Sequence, residues 1–120
     1  DKINKKKIYL YKQYLRYLKK DNIIIQNFSI NQNSIPWTFP LTLKNISKTD
    51  KLEFFLRKNK IEIRRGFYSP SRLKLYSIRK NLFPISDYLS KNVICLPLYL
   101  DLKTSDIKFI CSKINFFLNK

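Results

Sequence analysis

The stretch I-E-I-R-R-G-F-Y-S-P-S-R-L-K-L-Y, Ile61 to Tyr76, decides how the chain is read. Ile61 and Ile63 alternate with Glu62 and Arg64, the period of two that marks a half-buried strand. Gly66, the chain's single glycine, follows, and glycine takes positive φ without a steric penalty. The pattern predicts a strand ending at Gly66 that brings Arg64 and Arg65 to its end. An irregular loop follows, with one helical turn around Arg72 to Tyr76. A strand end on a rigid scaffold is a common place for a binding group. A solvated strand terminus has the same pattern, so periodicity alone leaves both readings open.

Immediately upstream, Ser47-Lys48-Thr49-Asp50 has the form of a capping box with Asp in place of Glu. It predicts a helix to about Lys58 that buries Leu52, Phe55 and Leu56 and stops at Asn59-Lys60. Before it, I-P-W-T-F-P-L-T-L, residues 35–43, alternates Trp37, Phe39, Leu41 and Leu43 with Thr38, Pro40 and Thr42. This reads as a strand with one apolar face and with Trp37 in the core. Its two prolines lack ladder donors, which favours an edge position or a bulged entry. Ile23 to Ile30 reads as a strand or extended arm, and Asn31 to Ser34 as a turn. Residues 3–20 read as a helix. Ile3, Lys7, Tyr11, Tyr14, Leu15 and Leu18 approximate one face, and Lys5, Lys6, Lys12, Arg16 and Lys19 crowd the others.

Downstream, Pro84 suits the first turn of a short helix through Ser90, where its missing N–H needs no partner. V-I-C-L-P-L, Val93 to Leu98, reads as a buried strand. Thr104 caps a last helix with Asp106 in its first turn, where a carboxylate favours the helix dipole. The apolar stripe of that helix is Ile107, Ile110, Cys111, Ile114, Phe117 and Leu118. The order of elements predicts one two-layer α+β domain over residues 1–120.

Composition narrows the chemistry. The chain has 120 residues, no methionine and no histidine. Without histidine there is no His-dependent triad and no His-containing zinc site, and one glycine is too few for a P-loop or a dinucleotide fingerprint. Cys95 and Cys111 form no metal or redox motif and read as reduced core residues of a cytosolic protein. No apolar run is long enough to span a bilayer. The start at Asp1 and the lack of methionine read as a fragment or a processed product. The net charge of +17 points toward an anionic partner. Lysines outnumber arginines 19 to 6, however, and Lys, Ile and Asn make up 46 residues, so AT-rich codon usage explains the charge equally well.

Four stretches together resemble the C-terminal small domain of the DegT/DnrJ/StrS family, pyridoxal-phosphate-dependent sugar-nucleotide aminotransferases. They are K-K-K-I-Y-L-Y-K-Q-Y-L at 5–15 in the first helix, I-P-W-T-F-P-L at 35–41, L-E-F-F-L-R-K-N-K-I-E-I-R-R-G-F-Y at 52–68 and F-P-I-S-D-Y-L-S-K-N-V-I-C-L-P-L-Y-L-D-L-K-T-S-D-I at 83–107. The resemblance implies a short, mainly antiparallel sheet packed against helices, with residues 1–20 linking to an N-terminal large domain. It implies a parent enzyme that moves an amino group, usually from glutamate, to a nucleotide-linked keto sugar in amino-sugar and surface-polysaccharide biosynthesis. Pyridoxal 5'-phosphate would sit on the large domain, and no lysine here matches the Schiff-base motif, so this chain alone is expected to be inactive.

By the same resemblance Arg64, Gly66, Phe67, Tyr68 and Ser69 are candidate substrate contacts in a wall of the cleft. No metal site and no catalytic residue are expected in this chain. The parent is expected to be a cytoplasmic homodimer with no membrane partner and no specific nucleic acid. The sequence departs from the family at Arg65, where proline is frequent, and at Ser69-Pro70-Ser71, where Pro-x-His or Pro-x-Asn is frequent. Two other readings are a small basic module that binds nucleic acid or an acidic surface through the Lys2–Lys20 helix, and a non-catalytic remnant.

Overall fold

The computed structural model describes residues 2–26, 34–76 and 82–120. The expected strand beyond Gln26 and most of the Asn31–Ser34 turn lie outside them. Helices α1 (Lys2–Tyr17), α2 (Thr49–Lys58), α3 (Pro84–Asn92) and α4 (Thr104–Leu118) accompany strands β1 (Ile23–Ile25), β2 (Phe39–Leu43), β3 (Arg64–Arg65) and β4 (Ile94–Leu96). The strands form one antiparallel sheet in the order β1-β2-β4-β3. The architecture is the expected α+β.

Strict alternation builds the core. Ile23, Phe39, Leu41, Leu43, Ile94 and Leu96 point to one face of the sheet and are buried there. Against them lie Leu10, Tyr11, Tyr14 and Leu18 from α1 and its end, Leu52 and Leu56 from α2, and Ile107, Ile110, Cys111 and Ile114 from α4. Phe39 is fully buried between the rings of Tyr11 and Tyr14, each 4.7 Å away. Both tyrosine hydroxyls find carbonyls: Tyr11 donates to Gln26 and Tyr14 to Pro97. Such pairing offsets the cost of taking a hydroxyl out of water.

Helices α1 and α4 run side by side in the same direction. Tyr9 reaches Thr104 near the start of α4, and the Asn115 amide donates to the Tyr17 carbonyl near its end. Lys7, expected on the apolar face of α1, sits there because its ammonium donates to the Leu98 carbonyl at 2.7 Å. A lysine stem covers apolar surface while its head keeps a polar partner.

Several expectations are corrected. The strand expected from Ile61 pairs only at Arg64–Arg65, although Ile61 and Ile63 are buried as the alternation requires. Gly66 does not have positive φ. The left-handed residue is Lys60, φ 59°, which turns the chain out of α2. Ser47 does not cap α2. Asn45 instead accepts from Ser47 at the head of a 3-10 turn, Ile46–Lys48, that runs into the helix. At α4 the N-cap is Lys103, whose N–H donates to Asp106. The helical turn expected near Arg72 is two short 3-10 turns, Pro70–Arg72 and Lys74–Tyr76.

The strand with Pro40 is internal, not an edge. The Lys44 N–H donates to Asn22, so the even-numbered residues of β2 point their donors toward β1. Beside Pro40 that strand has already ended at Ile25, and the Gln26 carbonyl that would face it takes the Tyr11 hydroxyl instead. No ladder bond is lost.

Two outcomes follow. A non-glycine residue in the left-handed region costs about 1–2 kcal/mol, so Lys60→Gly is expected to stabilise the fold by about 1 kcal/mol in urea unfolding. A lower urea midpoint would contradict the turn geometry. Burial pushes the Cys111 thiol up to about 12, whereas Cys95 is half-buried in a cavity wall. Iodoacetamide at pH 8 is therefore expected to label Cys95 and leave Cys111 intact until the protein is denatured. Equal labelling of both in the native state would contradict the packing of α4.

Candidate functional site

The second face of the sheet is open, and the pleat decides what stands on it. Directly opposed residues of antiparallel strands share a face. Arg64 pairs with Cys95 and Arg65 with Ile94. Ile94 is a core residue, so Arg65 points toward the helices. There its guanidinium meets Glu53 at 3.1 Å and Asp50, both of α2. Arg64 emerges on the other face with Cys95, exposed, and no ion pair among the described residues engages it. Adjacent arginines thus have opposite environments.

Two cavities lie here, the smaller reaching round the sheet to Asp106 and Ile110 of α4. The larger, about 830 Å³, is bordered by Ile24, Ile35, Pro40, Phe67, Tyr68 and Leu89, and no charged side chain lines it. The smaller, about 650 Å³, carries Arg64, Lys7, Lys60, Glu62, Tyr99 and Phe109. Trp37, Thr38 and Cys95 border both. Arg64 therefore opens into one cavity, and Gly66, Phe67 and Tyr68 into its neighbour.

Trp37 corrects a sequence expectation. It is 62% exposed rather than packed in the core, and its ring stacks on Phe67 with centroids 5.8 Å apart. Alternation places side chains only inside a ladder, and β2 begins two residues later, at Phe39. The available signal was Trp37's place between Pro36 and Pro40, outside regular strand. Phe67 and Tyr68 are 77% and 76% exposed, so three large rings stand at the groove.

The loop that carries them lies on α3. The Gly66 N–H donates to the Val93 carbonyl at 2.9 Å. A Cβ on Gly66 would stand 3.0 Å from both the Leu89 carbonyl and the Val93 Cβ. Glycine is needed here for close approach, not for positive φ. Ser69 is buried: its N–H donates to Ser90 Oγ at 3.1 Å and its hydroxyl meets that of Ser71 at 2.7 Å. Ser71 in turn donates to Asp87 at 2.6 Å. Hydrogen bonds from Ser71 and then Ser69 hold the Asp87 carboxyl below its ordinary value. Ser69 faces this network rather than the groove, and nothing in the sequence pattern linked it to Asp87 or Ser90.

The residues present do not fit pyridoxal phosphate on their own. The groove contains neither a lysine for a Schiff base nor a carboxylate for the pyridinium nitrogen. In the smaller cavity the Lys7 ammonium is bound to the Leu98 carbonyl, and Lys60 is exposed at the turn after α2. No group of three or more potential metal ligands occurs among the described residues, and no helix there is long and apolar enough to cross a membrane.

The family model of the DegT/DnrJ/EryC1/StrS aminotransferases matches residues 1–115, and the chain belongs to this family. A search of curated proteins finds no match. Solved structures share the fold at low identity. The aminotransferase TlmJ from Streptoalloteichus hindustanus has 14% identity and a TM-score of 0.81, over 97% of this chain and 32% of that one. DesV of S. venezuelae, solved in complex with a ketimine intermediate, has 16% identity and a TM-score of 0.83, over 100% and 33%. The sugar aminotransferase CalS13 from Micromonospora echinospora has 14% identity and a TM-score of 0.79, over 97% and 31%. The chain spans about a third of the length of these proteins.

The lowered Asp87 value fixes the sign of its pH effect. The ionised carboxyl stabilises the fold at and above the ordinary 3.8, and that contribution is lost as pH falls through the lower folded value. Ser71→Ala is expected to return Asp87 toward 3.8, read from its carboxyl carbon shift in an NMR titration. An unchanged value would contradict the bond.

Proposed function

We propose that this chain is the small domain of a pyridoxal-phosphate-dependent aminotransferase acting on a nucleotide-linked keto sugar, with glutamate as amino donor. Residues 1–20 join it to the large domain, which holds the cofactor, the Schiff-base lysine and the acid at the pyridinium nitrogen. The cofactor supplies the electron sink for amino transfer. The chain's own residues bind and orient the substrate. In this reading the parent is a cytoplasmic homodimer in amino-sugar and surface-polysaccharide biosynthesis, and the isolated chain is inactive.

One observation supports this most: an arginine without an ion pair among the described residues stands beside an uncharged aromatic groove. A nucleotide sugar has the matching division, anionic phosphates joined to rings. A guanidinium suits phosphate oxygens, which it can grip with two parallel N–H donors. Trp37, Phe67 and Tyr68 offer faces for a base or a sugar ring, and base–aromatic stacking is worth about 1–3 kcal/mol. Gly66 lets the chain approach α3 closely enough to place those rings.

The test is to read the coding sequence upstream of Asp1 and to assay the encoded full-length protein with pyridoxal phosphate, glutamate and nucleotide-linked keto sugars. An upstream large domain, 2-oxoglutarate release and an amino-sugar product of matching mass are expected, with no turnover by the 120-residue chain. A cofactor-loaded full-length protein that releases no 2-oxoglutarate with any such sugar would overturn the assignment.

A further inference from the structure

We infer that Asp87 is a positioning residue: through Ser71 and Ser69 it holds the Gly66–Ser71 loop so that Phe67 and Tyr68 stand at the groove. The inference rests on the groove being a substrate site, as proposed above. Phe67 and Tyr68 are the two residues between a pair of backbone tethers to α3 and its end, Gly66 N–H to Val93 and Ser69 N–H to Ser90. With 77% and 76% of their surface exposed, burial does not fix them. The tethers do.

The hydroxyls behind the loop converge on one carboxylate. Ser69, Ser71 and Ser90 are 2%, 9% and 8% exposed, so each needs a partner. An ionised carboxylate only accepts, and Ser71 gives its single proton to Asp87. The Ser69 hydroxyl lies 2.7 Å from that of Ser71 and hydrogen-bonds the same carboxyl. Asp87 thus gathers two hydroxyls, one of them on the residue after Tyr68. Arg72 on the loop and Lys91 on α3 face the same carboxyl and favour its ionised form, as do both serines. Asn at position 87 keeps an acceptor for Ser71, and Ala removes it.

The test measures the loop apart from activity. In Ser71→Ala and Asp87→Ala, amide exchange of Ser69 is expected to rise about tenfold, the size of one lost hydrogen bond. Nuclear Overhauser contacts between Trp37 and Phe67 should weaken, while Asp87→Asn keeps both near the starting values. Unchanged Ser69 exchange and Trp37–Phe67 contacts in Ser71→Ala would overturn the inference, even if Asp87→Ala fails to fold. In the full-length enzyme, Ser71→Ala is expected to raise KM for the nucleotide sugar more than it lowers kcat, and an unchanged KM would also overturn it. A parent enzyme without transaminase activity would fail the functional proposal alone and leave the exchange measurement valid.

Discussion

The pairing of β3 with β4 is the constraint on which the rest depends. Arg64 opposite Cys95 and Arg65 opposite Ile94 place one guanidinium on each face of the sheet. The inner one closes the gap between sheet and α2 by meeting Asp50 and Glu53. The outer one meets no carboxylate among the described residues. A shift of one residue in register would exchange them, exposing the guanidinium that now meets α2 and burying the other. Gly66 protects the register, since the loop leaves β3 through a gap at α3 too narrow for a Cβ.

The same packing explains why the positive charge is a poor guide to function. Helix α1 carries exposed Lys2, Lys5, Lys6, Lys12 and Arg16, but its apolar stripe is committed to the core through Leu10, Tyr11 and Tyr14. A helix used in this way has no free apolar face to lay into a membrane, which separates it from an interfacial amphipathic helix. Several cations lie over aromatic rings of the domain itself: Lys6 over Tyr9, Arg16 and Lys108 over Tyr17, and Lys120 over Phe116. Exposed contacts of this kind contribute modestly. They account for several surface rings without a partner molecule.

Much of the fold was legible in the sequence because it rests on periodicity. The stripe Ile107, Ile110, Cys111 and Ile114 is buried as spaced, as are Phe39, Leu41 and Leu43. Where periodicity stops, so did the reading. Trp37 lies two residues outside its ladder, and extending the alternation to it gave the wrong face. The starts of α2 and α4 were misplaced, since Asn45 and Lys103 take roles that depend on local geometry more than on residue type, whereas α2 stops at Asn59-Lys60 as read. Of the candidate site, Arg64, Gly66, Phe67 and Tyr68 were named from the resemblance. Their division between two cavities and the bonds among Ser69, Ser71, Ser90 and Asp87 depend on contacts between segments about twenty residues apart. No local pattern encodes them.

In the proposed function the pleat gives Arg64 to the ligand and Arg65 to the fold. The most direct measurement compares Arg64→Ala with Arg65→Ala in the full-length protein, reading nucleotide-sugar affinity and thermal midpoint together. Arg64→Ala is expected to weaken binding tenfold or more, about the 1.4 kcal/mol or more carried by a charged hydrogen bond, with little change in midpoint. Arg65→Ala is expected to lower the midpoint, because Asp50 loses its partner and Glu53 keeps only Arg57. Unchanged affinity in Arg64→Ala, or the two effects exchanged between the variants, would contradict the account.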